Sequence, residues 1–331
     1  MTDLRTVQLT RWFERQFGFS AVKLEVISAD ASFRRYFRFK AADTSYVLVD
    51  APPDTEKNHQ FIALALAYAQ VGLDVPRVLD SDTNLGFMCL TDLGDQTLLP
   101  LLGDQSQQWY PRAIKQLSML ANVVIPPSII SYYDREFFEL ELELFNDWFM
   151  TQYLNLNLNS ILKSELKSCF ELLITSAISQ PQVSVHRDFH SRNLMVRDSQ
   201  SLAIIDFQDT VTGPLTYDIA SLLKDCYFKL SISERDDLLQ LSYQMYVEQG
   251  LCRGDFLQFK CWFDLMALQR HLKVCGIFSR LYLRDGKSAY LNDLPLVVDY
   301  IIEVCRDYSQ LAPLLTLFID HVVPSLSAKE S

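Results

Sequence analysis

The spacing of apolar residues changes near residue 92, and this change limits the chain to a strand-rich part followed by a helical part. Up to residue 91, short runs of β-branched and aromatic residues alternate with polar breaks, as strands do. Beyond residue 95, long segments carry apolar residues three and four positions apart, which is the spacing of amphipathic helices. The sequence therefore predicts an α+β protein with two lobes, which its 331 residues are enough to build.

The pattern predicts five strands and two helices before a hinge at residues 92–95. The first helix is the amphipathic N-terminus, the second spans 56–71, and the strands are expected over 24–27, 33–40, 46–49, 75–79 and 87–91. The hinge separates a strand-rich lobe, residues 1–91, from a mainly helical lobe, residues 96–331. Helices predicted after the hinge cover 109–123, 137–153, 161–179, 219–230, 234–249 and 256–283. Short strands are predicted among them at 183–185, 194–196 and 202–205.

Composition excludes several classes of protein. A net charge of −11 argues against a nucleic-acid partner, because phosphate backbones attract clustered Lys and Arg. No uninterrupted apolar run reaches the roughly 18 residues of a membrane span, and the N-terminus lacks the apolar core of a signal peptide. The seven cysteines are scattered and form no CxxC pair, which indicates thiols in a reducing compartment. We therefore expect a cytoplasmic protein with no membrane association and no obligate protein partner.

Two polar loops after apolar runs carry the most chemical information. The first reads His-Arg-Asp-Phe-His-Ser-Arg-Asn from His186 to Asn193, and the second begins Asp-Phe-Gln at Asp206. A carboxylate can orient an attacking hydroxyl and accept its proton, and magnesium prefers oxygen ligands such as carboxylates and amides. The two loops resemble the catalytic and metal-binding loops of the aminoglycoside phosphotransferase and protein kinase superfamily. The resemblance implies a bilobal protein-kinase-like fold that uses ATP and Mg²⁺, with Asp188 as catalytic base and Asn193 and Asp206 as metal ligands.

Three further residues are expected to support these loops. His186 and Arg187 suit a role in organising the catalytic loop rather than direct chemistry. Asp218 lies in Gly-Pro-Leu-Thr-Tyr-Asp, which resembles the family motif whose aspartate braces the catalytic loop from the start of a helix.

The nucleotide site is expected in the strand-rich part, where the sequence departs from the family pattern. Small residues such as Ala31 and Ser32 would let backbone N–H groups approach phosphate, and Thr91 and Leu93 match the hinge that pairs with adenine. However, Asp50 occupies the position of the usual phosphate-binding lysine, and Glu56 has the place of its helix partner.

The positive charge must then come from another residue, and Arg34, Arg35, Arg38 and Lys40 are the candidates. Because side chains alternate along a strand, Arg35 is expected to point inward among phenylalanines. We therefore predict that Arg35→Ala weakens catalysis more than Arg34→Ala or Arg38→Ala does. An Arg35–Asp50 ion pair with no nucleotide contact is the alternative.

One branch of the superfamily is similar to the chain over roughly residues 8–305. The segments that carry this similarity include Ala-Asp-Ala-Ser-Phe-Arg-Arg-Tyr-Phe-Arg ending at Arg38, Asp-Ala-Pro-Pro at 50–53 and Leu-Gln-Arg-His-Leu-Lys-Val-Cys-Gly from Leu268. The branch is the anomeric N-acetylmuramate/N-acetylglucosamine kinases of bacterial cell-wall recycling. The resemblance implies transfer of the γ-phosphate of ATP to the anomeric hydroxyl of a free amino sugar. It also implies that the aspartate at position 50, in place of the usual phosphate-binding lysine, is shared within this branch.

Five residues are candidates for substrate binding. Arg270 and Lys273 lie one helical turn apart with His271 beside them, and could meet the lactyl carboxylate of N-acetylmuramate or form a solvated face. Glu141 and Asp147 could instead line an acidic pocket for a polycationic aminoglycoside. An aminoglycoside kinase, a kinase for another small alcohol and a nucleotide-binding pseudokinase therefore stay open as alternatives.

Overall fold

A five-stranded antiparallel sheet forms the centre of the strand-rich part of this computed structural model, which describes residues 3–28, 34–41, 43–156, 159–197 and 201–330. The strands are β1 Glu25–Ser28, β2 Arg35–Ala41, β3 Thr44–Asp50, β4 Val78–Asp82 and β5 Phe87–Thr91, in the order β1-β2-β3-β5-β4. The alternating pattern located each of these strands. The fourth begins three residues later than predicted, because Pro76 has no N–H to give to a ladder.

The N-terminal helix covers one face of this sheet. Helix α1, Leu4–Phe17, begins where the Asp3 side chain accepts a hydrogen bond from the Thr6 N–H, and it ends at Gly18 with φ 72°. Its apolar side packs against the sheet in one buried cluster, made of Leu9, Trp12, Phe13, Phe37, Leu48, Phe87 and Cys89. The aromatic face of β2 is thus occupied by α1.

The sheet belongs to a compact unit that also contains distant parts of the sequence. This unit takes in the described residues up to Leu98 together with Val123–Ile130 and Arg192–Thr210. It includes α2, Asn58–Gln70, and a hairpin of β7, Leu194–Val196, with β8, Leu202–Ile204. The unit therefore differs in extent from the predicted lobe 1–91, and the hinge at 92–95 and the catalytic lobe at 96–331 stay predictions.

The second compact unit is mainly helical and comprises Leu99–Asn122, Ser131–Ser191 and the chain from Val211 onward, within the described residues. Its helices are α3 Ser106–Ala121, α4 Arg135–Leu144, α5 Ser160–Ser179, α6 Tyr217–Leu223, α7 Ile232–Glu248, α8 Phe256–Asp285, α9 Leu294–Asp307, α10 Ala312–Leu317 and α11 Val323–Glu330. Strands β6, Gln182–Val185, and β9, Val211–Pro214, pair antiparallel within it.

Helix α8 runs for 30 residues and packs closely on α4. A Cβ placed on Gly276 would lie 2.4 Å from the backbone carbon and oxygen of Leu144, so a side chain at this position has no room. After Leu144 the chain continues as a π-helical segment, Phe145–Tyr153, in which the Thr151 hydroxyl donates to the Asn146 carbonyl. Apolar spacing alone predicted one α-helix over 137–153 and could not reveal this change of winding.

The predicted helix over 219–230 was wrong in its second half, because α6 ends at Leu223. The next two residues are buried and leave the helix to make ionic and polar contacts. Lys224 Nζ lies 3.4 Å from Asp264 Oδ1 and 3.3 Å from Glu303 Oε1, while the Asp225 carboxylate accepts from the Tyr227 N–H. These long-range contacts outweigh the helical pattern.

One helical stretch near the C-terminus, Ser309–Lys329, is long and apolar enough to cross a membrane by length and composition, with a mean hydropathy of 1.4. Two polar residues, Asp320 and His321, lie inside this stretch, so it is not an uninterrupted apolar run. Its apolar side chains include Leu314, Leu317 and Phe318, which are fully buried, whereas 28% of its apolar window as a whole is buried.

Candidate active site

The loop that contains Asp188 is held by the carboxylate of Asp218, in the first turn of α6. Asp218 accepts hydrogen bonds from the backbone N–H of His186 at 2.6 Å and of Arg187 at 2.9 Å. These bonds fix the backbone just before Asp188, where Arg187 adopts φ 79°, a left-handed conformation that is costly for a residue other than glycine. Burial raises the pKa of Asp218 to about 6, against the opposing influence of His186, its two backbone hydrogen bonds and Arg270.

Further hydrogen bonds fix the loop on either side of Asp188. His186 Nδ1 accepts from the Asp188 N–H at 3.2 Å, and the His190 N–H donates to the Asp188 carbonyl at 3.1 Å. The carboxylate of Asp225 accepts from both the N–H and the hydroxyl of Ser191, at 3.0 and 2.6 Å. The Asp188 side chain is thus carried on a rigid backbone.

The charge state of Asp188 suits a proton acceptor. Burial alone would raise the pKa of this carboxyl group, but the positive charges of Lys273, His190 and Arg187 hold it below its ordinary value. Asp188 is therefore ionised at neutral pH.

The predicted metal ligands Asn193 and Asp206 lie together in the strand-rich unit. Asn193 Nδ2 is 3.4 Å from Asp206 Oδ2, so a half turn of the amide would direct its oxygen to the same point. Asp206 has φ 66° and accepts a bond from Gln208 Nε2 at 2.7 Å. Within the described ranges, no group of three or more His, Cys, Asp or Glu side chains could hold a metal. One amide and one carboxylate oxygen nevertheless fit Mg²⁺, which takes few protein ligands beside phosphates and water.

Arg34 is buried beside Glu56 near the same metal-ligand pair. Its Nη2 lies 3.2 Å from Glu56 Oε2, and its guanidinium stacks 5.1 Å from the centre of the Phe61 ring. The Phe61 ring stacks in turn on Phe207, the residue after Asp206, at 4.9 Å. The Arg34 side chain is only 2% exposed and that of Glu56 13%, so the pair is desolvated and well fixed.

Arg35 lies on the phenylalanine face of β2, as predicted, 5.7 Å from the centre of the Phe37 ring, and α1 covers this face. Its side chain is 32% exposed and pairs with the carboxylates of Asp3 and Asp50. Arg5 Nε also donates to Asp50 Oδ1 at 2.8 Å. The Arg35–Asp50 pair offered as the alternative is present, and it favours a structural role for Arg35 over a phosphate contact.

Arg38, on β2, forms ion pairs with two carboxylates of the predicted hinge. This guanidinium donates to Asp92 at 2.6 and 2.9 Å and to Asp95 at 2.6 Å. Leu93 packs in an apolar cluster with Met195, Ala203 and Ile205, a surface suited to an adenine ring. The hydroxyl oxygen of Thr91, by contrast, accepts from the backbone N–H of Arg77. The other predicted nucleotide residues, Ala31 and Ser32, lie outside the described residues.

A cavity of about 200 Å³ opens beside Asp188 within the helical unit. Its charged lining includes two carboxylates, Asp188 and Asp225, and two cations, Arg270 and Lys273, and Tyr217 also lines it. Apolar and aromatic side chains complete the walls, among them Val274, Ile277, Phe278, Leu281, Tyr227 and Tyr290. This is the composition of a small-molecule site, in which a few polar groups orient a ligand against an apolar wall.

Glu141 was a candidate substrate ligand, but it lies outside the cavity lining and is buried within a hydrogen-bonded cluster. It accepts from Arg187 Nη2 at 2.9 Å, from Gln269 Nε2 at 3.3 Å and from the Tyr133 hydroxyl, and lies 2.8 Å from Lys273 Nζ. Burial would raise the pKa of Glu141, but Lys273 and Arg187 hold it below its ordinary value. Glu141 therefore neutralises and positions the cations behind the cavity.

The structure does not bring two other candidates, Asp147 and His271, to the cavity. Asp147 is exposed on the π-helical segment. His271 is buried, stacks on Tyr300 at 5.0 Å and contacts the Lys224 carbonyl through Nε2. Burial lowers the pKa of His271 to about 3, so it is neutral. Its contacts are those of a packing residue.

Sequence reasoning missed Tyr217 and Asp225 as parts of the site. The Tyr217 hydroxyl accepts a bond from Lys273 Nζ at 2.9 Å, and its position beside Asp218 in the motif could have singled it out. Asp225 lies in a stretch that was predicted to be helical, so its contact with Ser191 had no sequence signal.

The fold and the loops define a phosphotransferase, and comparisons with known proteins agree. The model of the phosphotransferase enzyme family matches residues 23–248. An ADP-bound aminoglycoside phosphotransferase has a similar fold, with a TM-score of 0.60 at 14% identity over 90% of this chain and 98% of that one. An ethanolamine kinase from Plasmodium vivax gives 0.65 at 12% identity over 97% and 91%. The chain therefore belongs to the phosphotransferase enzyme family, and the prediction of a kinase-like fold is confirmed.

Particular relatives are similar over nearly the whole length. An N-acetylmuramate/N-acetylglucosamine kinase from Pseudomonas putida is 37% identical over 324 residues, which cover 94% of this chain and 95% of that protein. A protein of the same name from Neisseria meningitidis is 36% identical over 329 residues, covering 96% of each. These matches confirm the resemblance to N-acetylmuramate/N-acetylglucosamine kinases that the sequence motifs indicated.

Proposed function

We propose that this phosphotransferase uses ATP to phosphorylate the anomeric hydroxyl of N-acetylmuramate or N-acetylglucosamine. The similarity to kinases named for these two sugars extends over 94–96% of the chain. N-acetylmuramate is a building block of bacterial peptidoglycan, so the proposal assigns the enzyme to cell-wall recycling in the cytoplasm.

The observation that carries this proposal is the lining of the cavity beside Asp188. Arg270 and Lys273 balance the carboxylates of Asp188 and Asp225 on its wall, so the lining has no excess of negative charge, and aromatic rings supply a surface for a sugar. A polycationic aminoglycoside would require an excess of carboxylates at this position. An amino sugar that is neutral or acidic fits the charge better.

Asp188 is proposed to orient the acceptor hydroxyl and to take its proton. As the hydroxyl oxygen bonds to the γ-phosphorus, the bond from that phosphorus to the bridging oxygen breaks, and ADP leaves with the electron pair. A hemiacetal hydroxyl is more acidic than an ordinary alcohol, so a carboxylate with a lowered pKa is sufficient to accept the proton. The Asp218 brace and the Asp225–Ser191 contact keep the carboxylate in place.

Arg34 is proposed to supply the positive charge that the third strand lacks. It is buried beside Glu56, as the strand lysine of the family pairs with a helix carboxylate. Burial raises the pKa of the Tyr36 hydroxyl, while Arg34 acts to lower it and Asp206 and Glu56 act to raise it. Arg34 is thus suited to meet phosphate oxygens, and the Leu93 cluster is suited to hold adenine.

Asn193 and Asp206 are proposed to hold Mg²⁺. The bound ion would neutralise charge on the β- and γ-phosphates. The contribution of the chain is to hold two oxygen donors on adjacent loops. The Asn193 carbonyl accepts the Ile205 N–H at 3.1 Å, which fixes the spacing of these loops.

A substrate panel tests this function directly. ADP release by the purified protein with Mg²⁺ and ATP would be measured against N-acetylmuramate, N-acetylglucosamine, kanamycin, choline and ethanolamine. The proposal predicts turnover with the two amino sugars at least about a hundredfold above that with the other acceptors. Preferred turnover of kanamycin or an alkyl alcohol would contradict the acceptor class, and ATP binding without turnover of any acceptor would indicate a pseudokinase.

A further inference from the structure

The Arg270 guanidinium lies in the cavity wall beside Asp188 without a hydrogen-bond partner for two of its nitrogens. Arg270 is 5% exposed, and its Nε and Nη1 atoms are buried and unpaired within the described part of the chain. The guanidinium stacks 5.3 Å from the centre of the Tyr217 ring, which fixes its plane. A buried cation in this condition is costly unless a ligand meets it.

The neighbouring cations differ from Arg270 in having protein partners. Lys273 Nζ lies 2.8 Å from Glu141 Oε1 and 2.9 Å from the Tyr217 hydroxyl, and Arg187 Nη2 lies 2.9 Å from Glu141 Oε1. These charges are compensated inside the protein. Arg270 therefore has the charge and the free donors that an anionic ligand in the cavity would need.

An acidic substituent of the sugar is the anion that best fits this position. N-acetylmuramate is N-acetylglucosamine with a lactyl ether, and the carboxylate of that ether is the charge by which the two sugars differ. Guanidinium groups bind carboxylates through charge-assisted hydrogen bonds. The cavity is built from the helical unit alone, whereas the candidate phosphate and metal ligands Arg34, Asn193 and Asp206 belong to the other unit. These observations favour the acidic substituent of the acceptor, rather than the transferred phosphate, as the anion that Arg270 binds.

We propose that Arg270 forms the carboxylate subsite of the acceptor cavity and makes the enzyme prefer an acidic amino sugar over its neutral counterpart. The inference rests on the proposed function and adds the residue that sets its specificity. Arg270 would also hold the sugar in one orientation, because it lines the same cavity as Asp188.

The test compares three acceptors with the wild type: N-acetylmuramate, its methyl ester and N-acetylglucosamine. The ester keeps the shape of the lactyl group and removes its charge. Since hydrogen bonds to charged groups are worth about tenfold to a hundredfold in binding, kcat/KM should be lower by about that factor for the ester. Equal kcat/KM for acid and ester in the wild type would overturn the proposal without any variant. Absence of turnover with all three would overturn the proposed function, and the subsite with it.

Arg270→Gln and Arg270→Lys connect the preference to this residue. Each should reduce kcat/KM for N-acetylmuramate at least about ten times more than for N-acetylglucosamine, and the acid–ester difference should largely disappear in the Gln variant. Arg284→Gln, on the same helix but 57% exposed and outside the cavity lining, is the matched control and should keep the acid preference. Equal losses for both sugars would instead assign Arg270 to the phosphate or to folding and would contradict the subsite.

Discussion

The guanidinium of Arg34 lies 3.2 Å from the carboxylate of Glu56, and both side chains are largely buried. The strand position that usually carries the lysine holds Asp50, which is engaged by Arg5 and Arg35 instead. A cation is therefore paired with Glu56, two residues before α2, but it comes from the residue before β2 rather than from β3.

This relationship predicts different outcomes for two adjacent arginines. Arg34→Ala should weaken ATP binding by about tenfold to a hundredfold, because it removes charge-assisted hydrogen bonds to phosphate. Arg35→Ala should lower the melting temperature and leave ATP affinity within about threefold, since Arg35 pairs with Asp3 and Asp50. Calorimetric titration and thermal unfolding of both variants measure these effects. Unchanged ATP affinity in a folded Arg34→Ala protein would remove Arg34 from the nucleotide site.

Asp188→Asn tests the proposed base. The amide keeps the size of the side chain but cannot accept the proton, so kcat should fall by about 10²–10⁴-fold. Binding of a non-hydrolysable ATP analogue should stay within about threefold of the wild type, because Asp188 is not a proposed nucleotide ligand. The melting temperature serves as the control for folding. A kcat within threefold of the wild type would exclude Asp188 as the base.

The raised pKa of Asp218 predicts how kcat falls on the acid side of the pH profile. As the pH falls through about 6, Asp218 takes up a proton and accepts the backbone N–H bonds of His186 and Arg187 less strongly. Asp188 stays ionised over this range, because its pKa is held below its ordinary value. With saturating Mg-ATP and N-acetylglucosamine, kcat should be about halved at pH 6 and reduced about tenfold at pH 5.

The matched variant for this profile is Asp218→Asn. It should be less active at every pH and lack the limb near pH 6, since the titrating group is gone. A wild-type kcat that stays constant from pH 8 to pH 5 would show that Asp218 does not control the catalytic loop.

Gly276→Ala tests the close packing of α8 on α4. The added Cβ would lie 2.4 Å from the Leu144 backbone, so the helices must separate, which costs about 1–3 kcal/mol. Gly254→Ala is the control, because its Cβ would meet Gln258 at an ordinary 3.4 Å, and its effect should be within about 0.5 kcal/mol. Urea unfolding compares the two. Equal stability of both variants would show that α8 and α4 can adjust at this contact.

The sequence predicted the fold and the main loops well because these depend on local pattern. Alternating residues located the strands, and the spacing from Asp188 to Asn193 identified the catalytic loop. Contacts between distant segments could not be predicted in this way. The alternation of side chains along β2 was correct, since Arg35 shares the face of Phe37 that α1 covers. The burial of Arg34 depends instead on its contact with Glu56, which alternation could not predict.

The same limit applies to the substrate residues. Helical spacing placed Arg270 and Lys273 on one face. It gave no sign that Glu141 compensates Lys273, or that Arg270 Nε and Nη1 have no hydrogen-bond partner among the residues that the structure describes. Likewise, the helical pattern continued through Lys224 and Asp225, whose buried ionic and polar contacts end α6. Pattern indicates which residues are close along one element, whereas the partners of a charge depend on tertiary packing.

The position of the new phosphate on the sugar tests the central claim most directly. The purified enzyme would be incubated with Mg-ATP and N-acetylglucosamine, and the product examined by ³¹P NMR with a parallel assay for the reducing end. We predict one ADP per sugar phosphorylated, a phosphorus signal coupled to the anomeric proton, and loss of the reducing end. Phosphate on another hydroxyl, or ADP formation that does not depend on the sugar, would contradict the assignment of this protein as an anomeric amino-sugar kinase.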